Sequence, residues 1–207
     1  MLEIVKPMDI EKRSFEIITE LLGDTVIARE NELVVKRVIH TSADFDYAKN
    51  LYFSTGAVEK GIAALRSGCD IVTDTQMAKA GINKTILGKL GGQVHCFMSD
   101  EDVAAEAKKR GVTRAMVSME KAASLEKPLI FAIGNAPTAL IAIKELMEQG
   151  KLHPALIIGV PVGFVNVVES KELIIASGAP CIVARGRKGG SNVAAAICNA
   201  MLYQITR

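Results

Sequence analysis

Short apolar runs alternate along this chain with stretches whose apolar residues recur every three or four positions. Five runs have the length and β-rich content of strands: residues 69–73, 93–98, 128–133, 155–160 and 180–184. Several are almost continuously apolar, the pattern of parallel strands covered on both faces. Helical patterns lie between them. Asp9 can cap a helix whose apolar positions are Ile10, Ile17, Ile18, Leu21 and Leu22, stopped by Gly23. Ser54 or Thr55 opens another, carrying Val58, Ile62 and Leu65 and ending at Gly68. Ser99 with Asp102 resembles a capping box, and Gly111 ends the helix that follows. Further helices are expected over 113–125, 138–149 and 191–204. Such β–α alternation predicts an α/β fold with a mainly parallel central sheet flanked by helices. No linker, repeat or low-complexity tract divides residues 1–207, so a single domain is expected.

In open parallel sheets, ligands sit beyond the carboxyl ends of the strands. Three unusual loops fall at that place: Gly134-Asn135-Ala136-Pro137-Thr138, Pro161-Val162-Gly163-Phe164, and Arg185-Gly186-Arg187-Lys188-Gly189-Gly190-Ser191. The last puts three cations and three glycines between a strand and a helix. Glycines let a ligand approach the backbone, and the following helix N-terminus offers N–H groups to phosphate or carboxylate. The Walker A order is absent. A solvated basic turn is the plain alternative. Asn135 can cap the next helix, where Pro137 suits the first turn, with or without a ligand. The Pro161 loop carries no ionisable group and reads as a tight turn.

Composition narrows the field. A chain of 207 residues suffices for one substantial core. A net charge of +2 argues against a general nucleic-acid binder, which carries a basic stripe. Cys69, Cys96, Cys181 and Cys198 form no C-x-x-C pair and have no histidine at metal-ligand spacing. They read as reduced, buried thiols, and no metal site is expected. The N-terminal MLEIVKPMDIEKR has charges where an export signal needs an apolar stretch. The longest apolar stretch, residues 155–168, is broken by Gly159, Pro161, Gly163 and Asn166, and falls short of the roughly 18 residues of a membrane span. A soluble cytoplasmic protein is expected.

Candidate chemistry centres on residues 37–44, RVIHTSAD. In a helix, Arg37 and His40 lie three apart on one face, beside an apolar face of Val34, Val35 and Val38. Thr41 to Asp44 then ends the regular pattern. A histidine at the end of a packed helix, beside hydroxyls and carboxylates, can act as acid or base. Equally, it can simply complement the helix C-terminus. His95 sits within an apolar strand run and reads as a satisfied core residue, and His153, before Pro154, as exposed. Ser14 falls on the stripe of Ile10, Ile17 and Leu21. It either bonds back to its own helix or lines a pocket. Arg114 opens a helix, where a cation opposes the macrodipole unless an anion lies nearby.

In order along the chain, these segments resemble one family, the precorrin-8X methylmutases. The matching residues are Pro7-Met8-Asp9-Ile10-Glu11 with Ser14-Phe15, RVIHTSADFD at 37–46, Asp74, Met77, Gly81-Ile82 and Thr113-Arg114. They continue with AIGNAPTAL at 132–140, IGVPVGFVNVVESK at 158–171 and GRKGGSNVAAAICNA at 186–200. Single pieces are weak signals, but the ordered set is specific. The resemblance implies a doubly wound α/β fold and a homodimer with substrate near the subunit interface. It also implies an isomerase of cobalamin biosynthesis that moves a methyl group from C-11 to C-12 of the corrin macrocycle, without a redox cofactor. It gives His40 the catalytic role and Ser14 and Arg37 contacts to substrate, with Arg114, Asn135 and Lys188 as further pocket residues.

Such a substrate is a large apolar ring rimmed by carboxylates. It needs an apolar cleft with several cations around it, and Arg37, Arg114 and the 185–191 loop supply candidates. With aromatic residues at 4%, aliphatic and Met contacts to the ring are expected rather than stacking. Two other classes fit less of the pattern. A non-catalytic tetrapyrrole carrier would use His40 only to orient its ligand. A nucleotide-binding α/β protein would use the glycine loops, but neither a P-loop nor a G-x-G-x-x-G fingerprint is present.

Overall fold

The computed structural model describes Lys6 and residues 9–206. Pro7 and Met8 of the N-terminal motif lie outside the described residues. Helices α1 (Ile10–Leu22), α2 (Glu32–Ser42) and α3 (Tyr47–Asn50) precede strand β1 (Leu51–Phe53) and helix α4 (Ala57–Arg66). Next come β2 (Asp70–Thr73), α5 (Gln76–Gly81), α6 (Lys84–Lys89), β3 (Val94–His95), α7 (Glu101–Arg110) and α8 (Arg114–Ala122). The chain continues through β4 (Leu129–Ile133), α9 (Pro137–Glu148), β5 (Leu156–Gly159), α10 (Val167–Ala176), β6 (Cys181–Ala184) and α11 (Ser191–Thr206).

The strands form one sheet in the order β1-β6-β5-β4-β2-β3, parallel except for β1, which runs antiparallel along β6. Every residue of β2, β4, β5 and β6 is buried. Successive side chains of a strand point to opposite faces. Ile71, Ile130, Ile158 and Ile182 accordingly pack with Val35, Val38, Leu65, Ile197 and Met201 of α2, α4 and α11. Val72, Phe131, Ile157 and Val183 pack with Met119, Leu140, Ile143 and Ile174 of α8, α9 and α10. This is a doubly wound sheet. From β2 the chain moves outward to β3, then crosses back to β4 on the other side, so winding reverses between β2 and β4. Ligand crevices of such sheets open at that reversal, outside the strands' carboxyl ends.

All five expected strands form, trimmed at their ends. The sixth, β1, is only three residues long, too short for its alternation to stand out. Helix α4 is preceded by Gly56 at φ 66°, not capped by Ser54 or Thr55; the Ser54 hydroxyl instead accepts the Cys181 N–H at 2.8 Å. The capping box at Ser99 is absent. Asp100 stands at the cap of α7 without a side-chain bond, and the Ser99 hydroxyl accepts from Gln76. No helix was expected between the fourth and fifth runs, yet α10 forms there, after Asn166 in the left-handed region at φ 55°. Helix α2 runs two residues past His40 and closes on Ala43 at φ 53°. Among the described residues, Ala43 and Asn166 are the non-glycines with positive φ. Such strained positions persist where the surroundings fix them, and both border the strands' carboxyl edge.

Candidate functional site

Strand pairing decides which segments meet at the carboxyl edge. Leu51 pairs with Ala184, and the Arg185 N–H donates to Asn50 O at 2.8 Å. The turn after α2 is thereby held beside the loop after β6. Lys188 of that loop places Nζ 2.6 Å from both Asp44 Oδ2 and Asp46 Oδ2. The hydrogen bond from Lys188 holds the Asp44 carboxyl below its usual range, and the two carboxylates raise the Lys188 ammonium. Lys188, expected as an anion site, is thus already shared between two carboxylates just beyond His40.

Arg37 and His40 lie on one face of α2, under α1. The Phe15 ring of α1 sits 5.6 Å from the His40 ring, centroid to centroid, tilted by 36°. The Arg37 guanidinium lies 4.8 Å from the Phe15 centroid and 5.1 Å from that of Tyr203, sandwiched by π faces that favour a cation. One Nη donates to Glu11 at 2.8 Å. The side chain is 12% exposed, and its buried Nε has no acceptor among the described residues. His40 itself is exposed. A fixed, largely buried cation therefore lies on the same helix face as an accessible imidazole.

The Ser14 hydroxyl donates back to Ile10 O at 2.8 Å. Its neighbours on α1 are informative. Ile18 and Leu22 are buried toward α2, whereas Ile10, Ile17 and Leu21 are 53%, 37% and 67% exposed. Ser14 belongs to this second, outward apolar stripe rather than to the core face.

At the winding reversal, the buried Asp74 carboxylate after β2 accepts the N–H groups of Gly134 at 2.9 Å, Asn135 at 2.8 Å and Ala136 at 2.6 Å. Burial pushes this carboxyl above its ordinary range, with the three amides pulling against it. Ala136, not Asn135, stands at the cap of α9, with Pro137 in its first turn as expected. The amide of Asn135 is spent on Asp74, while its side chain is exposed. Nearby, the Thr75 and Ser191 hydroxyls lie 2.7 Å apart. Gly134 fits so tightly that a Cβ there would stand 2.7 Å from Ser191 N. Thr113 caps α8, accepting from Met116, and its hydroxyl donates to Thr138 of α9 at 2.9 Å. That bond carries the exposed Arg114 to the start of α9.

The other histidines lie apart from this edge. His95 Nε2 is 2.9 Å from Asp70 at the opposite end of β2, and the ring stacks on Phe97. His153 is exposed. All four cysteines are free and buried. Among the described residues, no helix is long and apolar enough to cross a membrane. One functional candidate escaped the sequence reading. Lys171 is wholly buried on α10 and bonded to the loop after β6. Helical periodicity placed nothing special there, and the motif around it was its one signal.

A family model described as precorrin-8X methylmutase matches residues 9–204. A cobalt-precorrin-8 methylmutase of Priestia megaterium is 47% identical over 197 residues, covering 95% of this chain and 88% of the relative. One from Salmonella typhimurium is 46% identical, covering 98% of this chain and 97% of its own. A precorrin-8X methylmutase of Pseudomonas aeruginosa is 39% identical, covering 93% of each. Among solved structures, the precorrin-8X methylmutase of Thermus thermophilus superposes with a TM-score of 0.87 at 36% identity, covering 96% of this chain and 98% of that one. Likeness of this extent, in sequence and in the wound sheet alike, means that the chain belongs to the precorrin-8X methylmutase family, isomerases of cobalamin biosynthesis.

Proposed function

We propose that this protein moves a methyl group from C-11 to C-12 of precorrin-8X or cobalt-precorrin-8, giving hydrogenobyrinate or cobyrinate. The observation that carries this reading is the α2 face at the carboxyl edge, which offers a buried guanidinium and an accessible imidazole together. The migrating methyl redistributes electrons through the conjugated ring. His40 donates a proton or a strong hydrogen bond to the ring, stabilising that redistribution, and takes any proton back once the methyl has moved. Arg37 holds a rim carboxylate, exchanging its contact with Glu11 for the substrate. Ser14 turns its hydroxyl from Ile10 O to the substrate. Arg114 and Asn135 contribute from the edge near α9, and Lys188 by giving up one of its two aspartates.

The reading includes a homodimer, supported by the outward stripe of Ile10, Ile17 and Leu21 and by the exposed Phe164 and Val165 after β5. It takes the protein to be cytoplasmic, with no redox cofactor, no metal ligands of its own, and neither nucleic acid nor membrane as partner. The relatives at 46–47% identity are named for the cobalt substrate, which makes cobalt-precorrin-8 the first to test. Purified protein is incubated with the cobalt-loaded and the metal-free substrate while the visible spectrum is followed. Conversion of at least one is expected in the wild type. Tight binding of both without spectral conversion would instead make it a tetrapyrrole carrier.

A further inference from the structure

Lys171 has no solvent-exposed surface. A buried ammonium usually pairs with a carboxylate. Here Nζ donates instead to two backbone carbonyls of the loop after β6, Gly186 O at 2.7 Å and Lys188 O at 2.9 Å. Burial pushes the ammonium down to about 8. Filling the same space with an apolar side chain would be easier on stability. The arrangement therefore points to a job in the loop.

The rest of the loop is equally constrained. Arg187 O accepts the Gly163 N–H at 3.2 Å, and the Gly190 N–H donates to Val160 O at 2.9 Å. A Cβ on Gly189 would stand 2.1 Å from Val160 O, so this segment lies flush against the end of β5. The carbonyls of residues 186, 187 and 188 are thus all engaged by the protein. A trans peptide holds its C=O and N–H antiparallel. With the Gly186 and Lys188 carbonyls turned onto Lys171, the N–H groups of Arg187 and Gly189 face away from it. Neither N–H has an acceptor among the described residues. Backbone N–H groups left without acceptors in one short turn can receive an anion. Arg187 adds positive charge beside them, whereas Arg185 is paired with Glu172 and Lys188 with Asp44 and Asp46.

We propose that Lys171 is a positioning residue: through the Gly186 and Lys188 carbonyls it holds the 185–190 loop so that the Arg187 and Gly189 amides receive a rim carboxylate of the tetrapyrrole. The inference rests on the reaction proposed above and adds a subsite to it. The subsite reads shape and charge through the backbone, so it needs no side chain of the loop to be in one rotamer. Gly189 can have no replacement there, because any Cβ would strike Val160.

The test uses isotope-labelled full-length protein titrated with hydrogenobyrinate. In the wild type the Arg187 and Gly189 amide protons should move downfield as product saturates. In Lys171→Met those shifts should disappear. Loss of two hydrogen bonds, their place taken by water, should then raise the product Kd about 10- to 100-fold. The turnover rate at saturating substrate should fall by less than that. Lys171→Arg, which keeps two donors, should recover part of the affinity. Product that binds the wild type without moving either amide overturns the inference, even if Lys171→Met fails to fold. So does a folded Lys171→Met with unchanged shifts and affinity. Inorganic phosphate that produces the same shifts at equal concentration overturns the assignment to a substrate carboxylate. Failure of the wild type to bind product at all would instead defeat the proposed reaction.

Discussion

Arg37 and His40 stand three apart on α2, yet they are held in different ways. Arg37 is gripped by two rings and a carboxylate, whereas His40 touches Phe15 and solvent. That asymmetry suits one residue that anchors and one that acts. General acid assistance is worth about 10²–10⁴-fold, so His40→Ala should fold, bind product and isomerise slower by that factor. Single-turnover rates at saturating protein decide it; equal rates would remove His40 from the chemistry. Neutralising Arg37 should weaken product binding by about 2–5 kcal/mol, the cost of losing one partner of a desolvated charge pair. Lys188→Met should do less, because its charge is already divided between Asp44 and Asp46 at the surface. Titration of the visible absorbance compares the two, and a larger effect at Lys188 would reverse this order. The α2 pair was legible in the sequence because helix spacing brings i and i+3 together. Lys171 was not, since its partners lie 15 and 17 residues along the chain, in a loop that only the fold returns to it.

At the scale of elements, strands proved easier to read than the devices that join them. Continuous apolar runs announced β2, β4, β5 and β6. Their carboxyl ends, where the candidate site lies, followed. What stayed hidden were contacts across the winding reversal. Asp74 reaches amides 60 to 62 residues away, and no local pattern encodes that. It performs the capping for which Asn135 seemed suited. Asp74→Ala should leave three N–H groups at the start of α9 without an acceptor. Each unsatisfied buried donor costs about 1–3 kcal/mol, less where water enters, so a loss on the order of 3 kcal/mol is expected in urea denaturation. A change below about 0.5 kcal/mol would show that solvent replaces the carboxylate at no cost. Helix α1 was read correctly in extent, but which face meets the core was not read. Its apolar positions form two stripes, and helical spacing alone does not say which faces the core.

For the whole molecule, that second stripe sets the expected assembly. Leu21→Glu adds a charge to a 67% exposed position, so the protomer should keep its fold while the proposed dimer dissociates. Light scattering reads the outcome. A dimer that survives moves the contact away from α1, and a fully active wild-type monomer would count against a shared site. The thiols carry another consequence. Cys69 and Cys198 lie under one face of the sheet, Cys181 under the other, and Cys96 just beyond the two-residue edge strand β3. Burial pushes the Cys69 thiol up to about 12 and that of Cys198 higher still, so neither offers thiolate to a reagent while packed. Modification must therefore wait for the structure to open. A disulfide reagent at neutral pH should reach Cys96 first, through fraying of the edge, and Cys69, Cys181 and Cys198 together at the rate of global opening. Separate, unequal rates for these three would mean that the two layers come apart independently. The protein thus carries native clocks on both sides of its sheet, and the order in which they run down would chart its breathing without any added label.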